Sequence, residues 1–313
     1  MGQHDRSYRA FFAHLRMVQD LLRDIVGESW VDLIDLDLGE QVNASFVSPR
    51  HEKRESDVIW RFLRRDQEEP VYIYILMEFQ SRPDSTMPIR LMGYVSLFYQ
   101  SLAANQGAVE RRHLPLVIPV VVYNGPEPWN VSTDLGSLLG PLDPAAEFYR
   151  PQLRYRLVDE ASYSREELAA LGTPVAELFS IGKSRDWPEI LDSVHRLRLT
   201  ISPAEDSLRR AFQTWLLKVI LPRHGMPEKG VELSTLEEFE SMLADTIERL
   251  NRELREKSIR EGNAAVLLRQ LRRKFGPLDG IVEERISSAE GDRILAWADR
   301  VLSAASLDEV FLD

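Results

Sequence analysis

The sequence predicts a mixed α/β domain at the N-terminus followed by an all-α half. Three observations carry this. Segments rich in Val, Ile, Phe, Tyr and Trp, at 42–48, 55–64, 70–80 and 114–123, all fall within the first 130 or so residues. Helical periodicity brackets them, over 5–26 before the first and 85–106 before the last. Beyond about residue 160 the strand signal stops, and four Ser-x-x-Glu helix starts follow one another.

The first helix rests on Tyr8, Phe11, Phe12, Leu15, Leu22 and Ile25 at helical spacing, with Asp5 placed as its cap. The charged stretch Arg64 to Pro70 separates two strands as a hairpin connection. Pro88 stands in the first turn of a helix opening at Ser85 or Thr86, where a missing N–H costs nothing. Leu114 to Tyr123 is a continuous apolar run suited to a strand buried on both faces. Pro115 and Pro119 imply that it is irregular or that one of its edges lacks partners, and Asn124-Gly125-Pro126 ends it in a turn. Helix, three strands, helix, strand describes one mixed sheet with helices packed on it.

In the second half, Ser164/Glu167, Ser202/Glu205 with Pro203 at the first helical position, Ser234/Glu237 and Ser306/Glu309 mark the helix starts. A long charged helix spans 234–262, with Leu236, Phe239, Leu243, Ile247, Leu250 and Leu254 on one stripe and Gly262 as its break. The expected division is 1–160 for the α/β domain, 161–233 for a helical region, 234–262 for the connecting helix and 263–313 for a small helical domain.

Composition narrows the function. The chain has no cysteine, which excludes disulfides and thiolate zinc sites and fits a reducing compartment. Its first twelve residues carry no apolar signal core, and its longest apolar run is about half a bilayer span. A cytoplasmic location with no membrane partner is the expectation. The net charge of −11 gives no general attraction to nucleic acid, so contact with DNA needs a local basic patch.

The segment from Glu55 to Asp84 carries the chemistry. Side chains alternate along a strand, so Glu78 and Gln80 share a face with Tyr72, Tyr74 and Leu76. If the strands at 55–64 and 70–80 form a hairpin, Asp57 near the start of one approaches Glu78 near the end of the other. Two converging carboxylates and a backbone carbonyl make a hard oxygen site of the kind Mg²⁺ prefers. Such an ion orients a water and stabilises charge on a scissile phosphate, and Gln80 is placed to contact that water. Spacing alone leaves a second reading open, in which Asp57 and Glu78 pair with Arg61, Arg64 or Arg90.

The strings SDVIW at 56–60, YIYILMEFQSRPD at 72–84, MPIRLMGY at 87–94 and LPLVIPVVVYNG at 114–125, taken in order, resemble the recombination-promoting nuclease family. That family is also labelled YhgA-like transposases and is similar to the PD-(D/E)XK nuclease superfamily. The resemblance covers about residues 4 to 130, and RILAWADRVLSAASLDEVF near the end resembles a small helical domain often appended to the family. It implies a restriction-endonuclease-like sheet and Mg²⁺- or Mn²⁺-dependent endonucleolytic cleavage of DNA linked to recombination. By residue, the resemblance puts Asp57 and Glu78 at the two metal carboxylates and makes Gln80 the third catalytic position. Gln80 stands where most of the superfamily has lysine, although the family itself commonly has glutamine. Phe79 stands where the family often has histidine. A neutral amide can hydrogen-bond to a water or phosphate but cannot offset charge, so the source of positive charge is open. The alternative is a degenerate nuclease fold that binds DNA or protein without cutting, with the helical half mediating homo-oligomerisation.

Arg90 and Tyr94 share a helix face. Arg90 either meets a phosphate or pairs with an acidic side chain. Arg50, His51, Lys53 and Arg54, with Arg61, Arg64 and Arg65 near them, form the best candidate patch for a DNA backbone, and a solvated strand edge explains them equally well. Arg269, Arg272, Arg273 and Lys274 read as an exposed helix face.

Overall fold

The computed structural model describes residues 3–42, 58–66, 70–78, 82–104, 114–141, 143–226 and 235–312, with the backbone alone at 3–6 and 76–78. They form two compact units, Met1–Glu240 and Ser241–Asp313.

The first unit is built on one five-stranded sheet: β1 (Ile34–Val42), β2 (Val58–Arg64), β3 (Pro70–Glu78), β4 (Leu116–Tyr123) and β5 (Arg156–Asp159), side by side in sequence order. β1, β2 and β3 run antiparallel, and β3, β4 and β5 run parallel. The expected hairpin is present, with Val58 opposite Ile75 and Leu63 opposite Pro70. β4 is almost wholly buried, as its unbroken apolar run requires. β5 pairs only with Val120–Tyr123, so Pro119 lies just before the stretch of β4 that has neighbours on both edges. That is the half-partnered edge its two prolines implied.

Helices cover both faces. α1 (Gln3–Phe12) and α2 (Leu15–Asp20), the latter running on into a π-helical turn Leu21–Val26, lie on one face. α3 (Met87–Ala104) lies on the other, where Met87, Leu91, Val95 and Phe98 pack on Ile59, Tyr72, Tyr74, Val117 and Val121. The chain then becomes helical, as expected: α4 (Arg165–Leu171), α5 (Pro174–Lys183), α6 (Trp187–Thr200), α7 (Asp206–Trp215), α8 (Leu221–Arg223), α9 (Leu236–Phe275), α10 (Gly280–Ser287), α11 (Gly291–Arg300) and α12 (Leu307–Val310). In the second unit Leu267 and Leu271 of α9 bury against Ile286, Ile294, Trp297, Val301 and Val310.

Several elements differ from the expectation. The helix over 5–26 is two helices, because His14 is extended (φ −94°, ψ 127°) and restarts the chain. The break frees the Phe12 carbonyl to accept from the Trp60 indole N–H at 2.9 Å. It also lets α1 pack on α7 and β3 while α2 packs on β1 and α5. α1 begins at Gln3, so Asp5 lies within its first turn rather than at its cap. The first described strand starts at Ile34, well before 42; of the strand expected at 42–48 only Val42 falls within the described residues. Two features hid β1: alternating acids (Ile34-Asp-Leu-Asp-Leu) and Gly39. The register shifts between Asp35 and Glu40, and a Cβ on Gly39 would lie 2.4 Å from Leu15 and 2.5 Å from Phe62. Only glycine fits that approach.

Among the helix starts, Ser164/Glu167 is a complete capping box. Ser306 accepts from the Glu309 amide, and the Glu309 carboxylate returns to the Ala305 N–H at 2.6 Å. The Ser202/Glu205 pair closes a turn instead, and α7 starts at Asp206, leaving Pro203 outside it. The box at the start of α9 is Thr235/Glu238, one residue beyond the expected pair. Gly262 does not end the helix: α9 runs unbroken for 40 residues. One interior glycine costs about 1 kcal/mol, which the surrounding turns of a long helix absorb.

Candidate active site at the carboxyl ends of the parallel strands

β3 is the strand on which the antiparallel and parallel parts of the sheet meet, and it carries Glu78 as its last residue. Backbone position 78 is in register with Tyr123, and with Tyr72 and Tyr74 by alternation, so it belongs to the face that α3 covers. Asp159, at the end of β5, is next to Tyr123 in the same row. Its carboxylate accepts from the Trp129 and Ala161 amides at 3.1 and 3.0 Å. Asp57 and Gln80 lie outside the described residues, as does the side chain of Glu78. Val58, the residue after Asp57, stands opposite Ile75, so the chain enters β2 at the sheet end where β3 finishes.

Beyond Glu78 the chain enters α3 through a turn that Asp84 organises. Its carboxylate accepts from the Thr86 amide at 2.8 Å and the Thr86 hydroxyl at 2.7 Å, and it forms an ion pair with Arg90. Both side chains are largely buried, at 15% exposure for Arg90 and 17% for Asp84. Of the two readings of Arg90, this is pairing with an acidic side chain. Strand alternation does not single out Asp84, but an Asp two positions before Thr86 at a helix start is a recognisable signal of such a turn.

Aromatic rings line the same corner. Tyr74 stacks on Tyr94 at 6.3 Å, and Tyr123, Trp129 and Tyr155 meet edge to face at 4.9 and 6.5 Å. The Tyr155 hydroxyl donates to the Ser132 carbonyl at 3.2 Å. Burial, aided by the negative charge of Asp84, pushes its pKa up to about 12. It is a neutral hydrogen-bonding group at any physiological pH.

The candidate nucleic-acid residues divide. Lys53 and Arg54 lie outside the described residues, with Arg50 and His51. Arg61 is on β2, ion-paired to Glu40 at 2.9 Å. Its neighbours are engaged too: Arg64 with Asp66 at 2.7 Å, and Arg65 with the Ile34 carbonyl at 3.0 Å. In the second unit Arg272 pairs with Glu283, and Lys274 donates to the Val301 carbonyl at 2.7 Å, closing the end of α11. Among the described residues no group of three or more Asp, Glu or His side chains is arranged to hold a metal ion. No helix among them is long and apolar enough to cross a membrane.

The chain is similar to the recombination-promoting nuclease RpnD of Escherichia coli O157:H7, 35% identical over 134 residues that make up 41% of this chain and 48% of RpnD. It is 30% identical over 124 residues to the recombination-promoting nuclease RpnC of E. coli K12, covering 39% of each chain. It is also 29% identical over 163 residues to the inactive recombination-promoting nuclease-like protein RpnE of the same strain, covering 50% of this chain and 48% of RpnE. The chain thus spans about half or less of the length of these curated relatives. No solved structure matches it. The model of the family described as "Putative transposase, YhgA-like" matches residues 2–196, which take in the whole sheet, α1 to α5 and most of α6, and the chain belongs to that family, the family of the recombination-promoting nucleases.

Proposed function

We propose that this chain is a Mg²⁺-dependent endonuclease that hydrolyses phosphodiester bonds in DNA, with a restriction-endonuclease-like site at the carboxyl ends of its central strands. The observation that carries the reading is the position of Glu78. It ends a strand flanked on both sides, in a family whose relatives include proteins named as nucleases.

In this reading Asp57 and Glu78 hold the metal and Gln80 completes the catalytic set. Two carboxylates with strand carbonyls are a hard oxygen donor set and fit Mg²⁺ or Mn²⁺. The ion supplies charge stabilisation at the phosphate and a more acidic bound water. Gln80 orients that water by hydrogen bonding and does not take its proton, since an amide is no base at neutral pH. Asp84 fixes the start of α3 and the guanidinium of Arg90 in the turn that follows β3. Lys53, Arg54 and Arg61 contact the DNA backbone, while Arg90 remains paired to Asp84.

The test is plasmid cleavage with Mg²⁺ and with a chelator, run beside Asp57→Ala and Glu78→Ala. Cleavage that needs the ion and disappears in both well-folded variants is the expected result. Undiminished cleavage in either variant removes that residue from the site.

A second reading has its own support. Arg61 and Arg90 are engaged by Glu40 and Asp84, Gln80 brings no charge, and RpnE is named inactive. A non-cutting, DNA- or protein-binding module, associating through its helical half, then results. Calorimetry with Mn²⁺ separates the two: heat of binding lost in Asp57→Ala belongs to the nuclease, and no binding by the wild-type chain belongs to the binding module.

A further inference from the structure

On the face of the sheet opposite α3 lies a buried acid that the proposed site does not use. Glu160 follows β5 directly and is 3% exposed. The Tyr8 hydroxyl of α1 donates to its Oε2 at 3.2 Å, whereas Oε1 is buried with no hydrogen-bond partner among the described residues. Lys183 of α5 directs its ammonium to the carbonyl of Glu160 at 3.1 Å and to that of Tyr163, not to the carboxyl group. The other groups facing this pair are Asn124 after β4, Asp159 beside Glu160, and Arg223 of α8, which donates to the Gly182 carbonyl at 2.9 Å. Gly182 makes the contact possible: a Cβ there would sit 3.2 Å from the Tyr8 hydroxyl and 3.7 Å from Glu160 Oε2.

We propose that Glu160 is a proton-operated latch: uncharged, it fastens α1 to the edge of the sheet through Tyr8, and on losing its proton it releases α1. A carboxylic acid tolerates one under-satisfied oxygen, whereas a carboxylate in the same place carries an uncompensated charge. Burial pushes the acid well above the usual carboxylate range, with the Tyr8 hydrogen bond and the Lys183 charge pulling partly back. Because the folded form holds the proton more tightly, the latch is closed at low pH and opens as pH rises through its own titration. Tyr8 is the right element to move. It meets Phe11 and Trp215 edge to face at 6.3 and 6.4 Å, in the helix that packs on β3 and α7. Opening the latch uncovers the apolar side of β3 on the face away from Arg90 and Asp84, so the device is independent of how the other face is used.

The test is hydrogen–deuterium exchange of α1 in the full chain, corrected for intrinsic rates, from the acid to the alkaline range. In the wild type, protection of Gln3–Phe12 falls by up to about tenfold per pH unit as pH rises from the ordinary carboxylate range to the raised value of the closed latch, and is level above it, as one released proton requires. In Glu160→Gln, which copies the uncharged acid, protection stays level. In Tyr8→Phe, which keeps the ring but not the donor, protection is already low at acid pH. A wild-type slope in Glu160→Gln, level protection in the wild type, or a Glu160→Gln chain that does not fold at any pH overturns the latch.

Discussion

Replacing Asp84 tests whether the start of α3 is held as the geometry implies. The carboxylate performs two jobs, accepting from the Thr86 amide and hydroxyl at 2.8 and 2.7 Å and pairing with Arg90. Loss of the turn-capping acceptor costs about 1 kcal/mol. Removing one partner of a buried ion pair costs about 3–5 kcal/mol; exposures of 15% and 17% admit some water, which argues for the low end. Asp84→Ala is therefore expected to cost about 3–4 kcal/mol, a large share of the stability of an ordinary domain. Asp84→Asn keeps an acceptor for Thr86 and loses only the charge, so it costs about 1–2 kcal/mol. Urea denaturation of the full chain, followed by circular dichroism, measures both. Combining Asp84→Ala with Arg90→Met recovers part of the loss, because the guanidinium that needed the charge is gone. An Asp84→Ala penalty below about 1 kcal/mol, or simple additivity in the double variant, refutes a buried structural pair.

Asp20 is nearly buried beside Arg16, and burial raises its pKa to about 6. Its contribution is fully present below the ordinary carboxylate value of 3.8, declines as pH rises through about 6, and is then level. The difference corresponds to at most about 3 kcal/mol, so Asp20→Asn is expected to be more stable than wild type at neutral pH, with the gap closing in acid. No gap between them at neutral pH in thermal melts defeats this. Gln80→Ala is expected to slow DNA cleavage roughly ten- to a hundredfold, the loss of one positioning hydrogen bond, with Gln80→Lys matching or exceeding wild type; cleavage by Gln80→Ala at the wild-type rate removes Gln80 from the chemistry. DNA affinity, measured by fluorescence anisotropy, is expected to be weak and to fall steeply with salt, since an acidic chain neutralises phosphates through few local cations. Tight, salt-insensitive binding contradicts that.

What was legible in the sequence follows from how each signal is made. The hairpin of β2 and β3, the buried β4 and the helical half are written in side-chain periodicity, and all are present. β1 was not legible because its acids and Gly39 answer to neighbours distant in sequence: Gly39 exists to admit Leu15 and Phe62. β5, only four residues long, is held by pairing with β4 rather than by its own pattern. The break at Ala13 and His14 likewise belongs to Trp60, which claims the carbonyl of Phe12, 48 residues before it. The same division applies to the two acids that frame the sheet. Asp84 could be found from its local turn pattern, whereas nothing around Glu160 distinguishes it from a surface glutamate; its character arises only when Tyr8, 152 residues earlier, closes over it. A residue of that kind is chemically ordinary in the unfolded chain and perturbed only in the folded one, and that difference in proton affinity is what makes its ionisation a readout of whether α1 is in place.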